Sequence, residues 1–89
     1  MGQYREEPTS SLVMRRSGKR GVYSLLCVRY RCAEAWLFMV EERGAHSFAL
    51  YEGDRNAAVA LFHSVAEGEV ASEHLFDVLH DARAMAEIF

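Results

Sequence analysis

Two predicted strands have apolar residues at both odd and even positions, and this feature most restricts the folds open to the chain. Residues 22–31 divide into two apolar sets, which are Val22, Leu26, Val28 and Tyr30 against Tyr23, Leu25 and Cys27. Residues 35–42 repeat the pattern, with Trp36, Phe38 and Val40 against Ala35, Leu37 and Met39. Because successive strand residues point to opposite faces, this sheet needs cover on both sides.

The rest of the chain predicts one more strand and two helices. Gly44 supplies the positive φ that a hairpin favours, and a third strand covers about residues 46–52. After Asp54, which can cap a helix, helical spacing predicts a helix over residues 55–66. A second helix is expected from its N-cap Ser72 to the end of the sequence. The predicted fold class is α+β: a three-stranded antiparallel meander followed by two helices (β-β-β-α-α), in a single domain of residues 21–89.

Residues 1–20 have a different composition. They mix charged and polar residues around the only proline, Pro8, and hold one short apolar cluster, Leu12-Val13-Met14. We expect a mobile basic N-terminal segment here. The alternative is that the cluster folds back as a fourth strand or as a cover for the sheet.

Two helices of this size can cover one face of a three-stranded sheet and leave the other face apolar. A homodimer in which two sheets pack face to face would bury that surface without a second gene product. The predicted dimer-face residues are Tyr23, Leu25, Leu37 and Met39.

Charge and hydropathy narrow the function classes. The longest apolar runs have six residues, too few to cross a bilayer, and the start of the sequence lacks the features of a secretory signal. We therefore expect no membrane association and a cytoplasmic location. Residues 1–32 hold seven basic and two acidic side chains, whereas residues 33–89 hold three basic and eleven acidic. An anion or nucleic-acid site in the basic segment would use Arg15, Arg16, Lys19 and Arg20, but the acidic remainder would repel a nucleic acid, and we do not expect one as a partner.

The second predicted helix carries three polar residues on one face, His74, Asp77 and Asp81. Such a set can contact a protein partner, or it can bind a divalent metal and activate water as in a hydrolase. The spacing lacks the specificity of an H-E-x-x-H zinc helix, and a solvated helix face explains it equally well. No catalytic residue, metal or cofactor is assigned.

The pattern Ser72-x-His74-Leu75-x-Asp77-Val78-x-x-Asp81, after a three-strand meander and a short helix, resembles a small clostridial (Firmicutes) family of uncharacterised proteins. The resemblance covers about residues 21–82 and implies a bacterial protein in which His74, Asp77 and Asp81 are the characteristic polar residues. It implies no particular activity. The sequence therefore favours a non-enzymatic homodimeric interaction or regulatory module, with metal binding or hydrolysis and anion binding as the alternatives.

Overall fold

Four antiparallel strands and two helices form the fold in the computed structural model, which describes residues 8–80. The strands are β1 (Thr9–Ser17), β2 (Gly21–Tyr30), β3 (Ala33–Glu42) and β4 (Ala45–Tyr51), and they lie side by side in that order. Helix α1 is Arg55–Glu67, and a 3-10 turn, Ser72–His74, leads into the α-helical residues 75–80, here α2. The α+β class and the antiparallel meander are confirmed. No helix within residues 8–80 is long and apolar enough to span a membrane.

The sheet has four strands, and the prediction of three is corrected by β1. Residues 9–17 of the segment predicted to be mobile pair with β2 along their length, so the cluster Leu12-Val13-Met14 does fold back as a fourth strand. The prediction of three strands did not include it because its apolar alternation is interrupted. A register shift between Leu12 and Met14 leaves Val13 as an extra residue, a β-bulge, and both Val13 and Met14 pack against the core.

Two-residue turns fix the register between the central strands. Arg31 and Cys32 connect β2 to β3, with Arg31 in a left-handed conformation at φ 58°. Arg43 and Gly44 connect β3 to β4, and Gly44 has the predicted positive φ, 78°. A two-residue turn pairs odd residues of one strand with even residues of the next. Leu25 therefore lies beside Phe38.

The core lies between one face of the sheet, here called the covered face, and the two helices. Phe38 is at its centre, with its ring centroid 6.1 Å from that of Tyr51 and 6.4 Å from that of Phe62. The other large buried side chains are Tyr23, Leu25, Trp36, Val40, Val65, Leu75 and Leu79.

Hydrogen bonds attach the buried aromatic residues to the chain that crosses this face. The Trp36 Nε1–H donates to the carbonyl of Gly53 at 2.9 Å, just before α1. The Tyr23 hydroxyl donates to the carbonyl of Val70 at 3.0 Å, between the helices. Burial, and then the nearby Glu69 carboxylate, raise the pKa of Tyr23 above its ordinary value of 10.0. Both polar atoms are thus satisfied inside the core.

The predicted boundaries of α1 are confirmed by its caps. The Asp54 carboxylate accepts the amide hydrogen of Ala57 at 2.7 Å, and the Gly68 amide donates to the Ser64 carbonyl at 3.0 Å. Helix α1 buries Ala58, Phe62, Val65 and Ala66 against the sheet. The apolar stripe of this helix therefore docks it on the sheet.

The start of α2 is attached to the sheet in a way that the sequence does not predict. The 3-10 turn that leads into α2 has Ala71, not Ser72, as its N-cap, and the Ala71 side chain makes no capping bond. Instead, the Glu42 carboxylate accepts the Ser72 amide hydrogen, and the Ser47 hydroxyl donates to the Ser72 carbonyl at 2.6 Å. The bond from the Ser72 amide is the main cause that lowers the pKa of Glu42 below its ordinary value of 4.5.

Candidate functional site

The face of the sheet opposite the helices, here called the open face, carries one leucine from every strand. The register places Leu12 beside Leu26, Leu26 beside Leu37, and Leu37 beside Leu50. The four leucines therefore form a continuous row that crosses the whole sheet. A row of this kind needs both the bulge in β1 and the two-residue turns, because a one-residue slip in any strand would move its leucine to the other face.

Apolar residues also lie on both sides of the leucine row. On one side Met39 pairs with Phe48, and on the other Val28 pairs with Ala35. The outer strands leave their side chains most accessible: Leu12 is 57% exposed, Phe48 60% and Leu50 64%. Leu26, Leu37 and Met39, on the central strands, are half-buried by their neighbours. The described chain thus leaves an apolar surface on this face.

The size of this surface follows from strand geometry. Four strands about 4.8 Å apart, over about six residues of each, give a face of roughly 20 × 20 Å, or about 400 Å². A patch of a few hundred Å² marks an interaction site on many soluble proteins. The open face has the dimensions of a small protein interface.

Charged residues lie at opposite sides of the open face. Arg15 is on β1, beside Ser24, and is exposed. Glu41 on β3 pairs with His46 on β4, and both are exposed. The β1 side therefore carries a basic residue, and the side formed by β3 and β4 carries an acidic one.

The predicted dimer-face residues divide between the two faces. Leu37 and Met39 lie on the open face, but Tyr23 and Leu25 belong to the covered face and are buried in the core. The prediction is corrected for these two residues, because it combined odd positions of both strands, whereas a two-residue turn pairs odd with even. The turn length was the missing signal. The open-face residues that the sequence did not single out are Leu12, Leu26, Phe48 and Leu50.

The four predicted anion-binding residues do not converge. Arg15 points to the open face, whereas Arg16 lies on the other side of β1, with its Nη1 3.5 Å from Glu67 Oε1. Lys19 and Arg20 form the β1–β2 turn, and their backbone amides donate to one oxygen of Glu69 at 2.7 and 3.2 Å. Carboxylates at the end of α1 thus contact part of the basic segment.

The polar residues of the second helix are exposed. His74 Nε2 lies 3.6 Å from Oε1 of the neighbouring Glu73. Asp77 lies on the exposed surface of α2, and Asp81 lies outside the described residues. Within residues 8–80, no group of three or more His, Cys, Asp or Glu side chains could hold a metal ion.

An exposed aromatic residue extends the apolar surface around the edge of β4. Phe76 on α2 is 68% exposed, and its ring stacks on that of His80 with centroids 6.0 Å apart. Leu50, Phe76 and Leu79 line one small cleft of about 90 Å³ between β4 and α2. The open face is therefore continuous with apolar side chains of the helix layer.

Comparisons with family models, curated proteins and solved structures find no match for this chain. Its own residues and their geometry are therefore the basis for assigning a function.

Proposed function

We propose that this protein is a non-enzymatic homodimeric interaction module, and that two copies associate through their open faces. The observation that carries the proposal is the row Leu12, Leu26, Leu37 and Leu50, which is continuous across the sheet and has exposed side chains at both ends. Face-to-face packing of two antiparallel sheets is a common way to bury such a surface.

The charges favour a second copy of this chain as the occupant. A two-fold axis parallel to the strands places β1 of one copy over β4 of the other. This rotation leaves the position of each residue along the strand direction unchanged. The leucine rows then lie on one another, with Leu12 facing Leu50 and Leu26 facing Leu37. The same rotation brings the side with Arg15 towards the side with Glu41. One surface is thus complementary to itself, as a two-fold interface requires.

The expected affinity is moderate. Two open faces bury about 800 Å² of flat area together, which is less than the roughly 1,200–2,000 Å² of a standard stable interface. Completing the burial of Leu12, Phe48 and Leu50 contributes about 1–2 kcal/mol for each side chain, and association costs offset part of that gain. We expect a dissociation constant in the micromolar range, which corresponds to a binding free energy on the order of −8 kcal/mol.

Sedimentation velocity over a range of protein concentrations tests the proposal. The wild type is expected to change from monomer to dimer, and Leu50→Glu and Leu37→Glu to remain monomeric because each places a charge in the leucine row. Ala60→Glu is the matched control, since Ala60 is exposed on α1 and lies outside the open face. A wild type that stays monomeric at several hundred micromolar, or equal effects of Leu50→Glu and Ala60→Glu, would contradict the proposal.

The helix layer stays accessible in this dimer, which supports a role in binding other proteins. His74, in the 3-10 turn, and Asp77, on α2, are exposed and can contact a protein partner while the sheets are paired. A cytoplasmic location is supported by Cys27 and Cys32, which are both free thiols. The resemblance to the clostridial family rests on the residue pattern alone and adds no activity.

A further inference from the structure

A polar cavity of about 440 Å³ lies on the helix side of the sheet, at the end of β1 and β2 where Thr9, Ser11 and Arg29 are exposed. Cavities of roughly 300–1,000 Å³ hold small-molecule ligands in many proteins. The residues that give this one its chemistry are Thr9, Ser11, Cys27, Arg29 and Arg55.

Strand pairing places four of these residues together. Ser11 lies directly opposite Cys27, and Thr9 lies opposite Arg29, on the same face of the two strands. The hydroxyl groups of β1 therefore adjoin the thiol and the guanidinium of β2. This arrangement follows from the antiparallel register and does not depend on a mobile loop.

The fifth residue comes from the helix layer. Arg55 is the first residue of α1, and its guanidinium carbon lies 5.9 Å from the centre of the Trp36 ring. Trp36 is the neighbour of Cys27 on β3. The cation–π contact with the indole positions Arg55 at the cavity.

The electrostatics of the cavity favour an anion. Two guanidinium groups line it, and none of the lining residues described is acidic. Glu34 accepts a hydrogen bond from Arg29 Nε at 2.9 Å, and this bond, followed by the contact with Cys27, raises the pKa of Arg29 above its ordinary value. Glu34 therefore neutralises Arg29 in part, and Arg55 supplies the second positive charge of the cavity.

We propose that this cavity binds a small organic anion through a phosphate or carboxylate group, with Arg55 and Arg29 as charged contacts and Thr9 and Ser11 as hydroxyl donors. Guanidinium groups match the geometry of both kinds of oxyanion. The volume exceeds that of one oxyanion, so the cavity also accommodates a small polar body attached to it. Leu12, at the β1 end of the leucine row, also lines the cavity, so the site adjoins the open face, but its two arginines and two hydroxyl groups all come from a single chain.

The single tryptophan makes a direct test possible. Because Trp36 is the only tryptophan and lies under Arg55, an anion at Arg55 is expected to change its fluorescence. The probes are inorganic phosphate, glycerol phosphate, acetate and succinate, each titrated at an ionic strength held constant with sodium chloride. We expect a saturable change, and the ranking of the four probes identifies the preferred oxyanion. A response no larger than that to chloride alone would overturn the proposal.

Three arginine variants locate the site. Arg55→Gln and Arg29→Gln are each expected to weaken binding at least about tenfold, because a charge-assisted hydrogen bond is lost. Arg43→Gln is the matched control, since Arg43 lies in the β3–β4 turn at the other end of the sheet. Arg55→Gln also changes the surroundings of Trp36, so amide chemical shifts of Ser11 and Cys27 give a second measurement. Equal weakening by Arg43→Gln, or full affinity in both other variants, would overturn the proposal. The monomeric Leu50→Glu variant is expected to bind normally, which separates this site from the dimer proposal.

Discussion

The covered face and the open face of the sheet contain similar side chains but have different surroundings. β2 supplies Leu25 to one face and Leu26 to the other, and β3 and β4 supply Phe38 and Phe48. Phe38 is 1% exposed, whereas Phe48 is 60% exposed. Side-chain hydrophobicity therefore does not decide which face becomes the core of the single chain.

Polar contacts distinguish the two faces. Trp36 and Tyr23 donate hydrogen bonds to Gly53 and Val70, which begin and end the segment that contains α1. Glu42 attaches the start of α2 to the same face. These contacts give the helices a fixed position on one side, and the leucine row on the other side is left for association. Residues of the same type on opposite faces allow this comparison to be tested directly.

The largest difference in the free energy of unfolding is expected between Phe38→Ala and Phe48→Ala. Removing the buried Phe38 ring leaves a cavity beside Tyr51 and Phe62 and should cost about 3–5 kcal/mol, most of the stability of a domain this small. Phe48→Ala should cost less than about 1 kcal/mol in the monomeric Leu50→Glu background. Urea denaturation measures both values. Equal losses for the two variants would show that the open face is also a single-chain core.

Tyr23→Phe and Tyr30→Phe are expected to differ by about 1 kcal/mol in the free energy of unfolding. Tyr23→Phe removes the donor to the Val70 carbonyl and leaves that acceptor without its partner in a part-buried site. Tyr30→Phe, at the exposed end of β2, is the control and should have almost no effect on the free energy of unfolding. Equal effects in thermal denaturation would mean that the hydrogen bond to Val70 does not help to fix the helices.

The glutamate pair differs in its dependence on pH. Since the folded-state pKa of Glu42 is below 4.5, its contribution to stability is fully present above pH 4.5 and is lost as the pH falls through the lowered value. Glu42→Gln is therefore expected to melt earlier than wild type at neutral pH, and the difference should shrink in acid. Glu41→Gln, on the open face, leaves the bond to Ser72 intact. This variant should lose stability in acid to the same extent as the wild type. A difference in melting temperature between Glu42→Gln and wild type that is constant between about pH 3 and pH 7 would argue against this role.

The smallest effect is expected for the arginine pair. Arg16 and Glu67 are largely exposed, with 50% and 65% of their side chains accessible, so Arg16→Gln should cost less than about 0.5 kcal/mol. The loss should disappear at high salt because the pair is screened. Arg15→Gln is expected to leave the monomer unchanged and to weaken dimerisation instead. If Arg15→Gln destabilised the monomer and Arg16→Gln weakened dimerisation, the two arginines would lie on the opposite faces from those in the structure.

The sequence predicts local elements well in this chain. The bounds of β2, β4 and α1 lie within one residue of the predicted 22–31, 46–52 and 55–66. Strong apolar alternation, Gly44 and Asp54 carry that information, and all three act over a few neighbouring residues. β1 was missed because an extra residue, Val13, breaks the alternation from which strands are recognised.

Longer-range features were not predictable from the pattern. The register depends on a left-handed Arg31, a conformation that arginine rarely adopts, so the sequence did not fix the turn length. The bond from the Lys19 amide to Glu69 joins residues 50 positions apart. The meeting of Arg29 and Arg55 in one cavity likewise requires the helix to be docked. His74, Asp77 and Asp81 were conspicuous in the sequence because they are close in it.

The bulge in β1 limits the addition of further strands at that edge of the sheet. Bulged, charged edge strands resist the addition of a further strand, and β1 combines Val13 with two adjacent arginines. β4, at the other edge of the described sheet, pairs with β3 in an uninterrupted register. Fibre formation through sheet edges needs two receptive edges on each subunit. With only one, strand addition by itself ends after a single step.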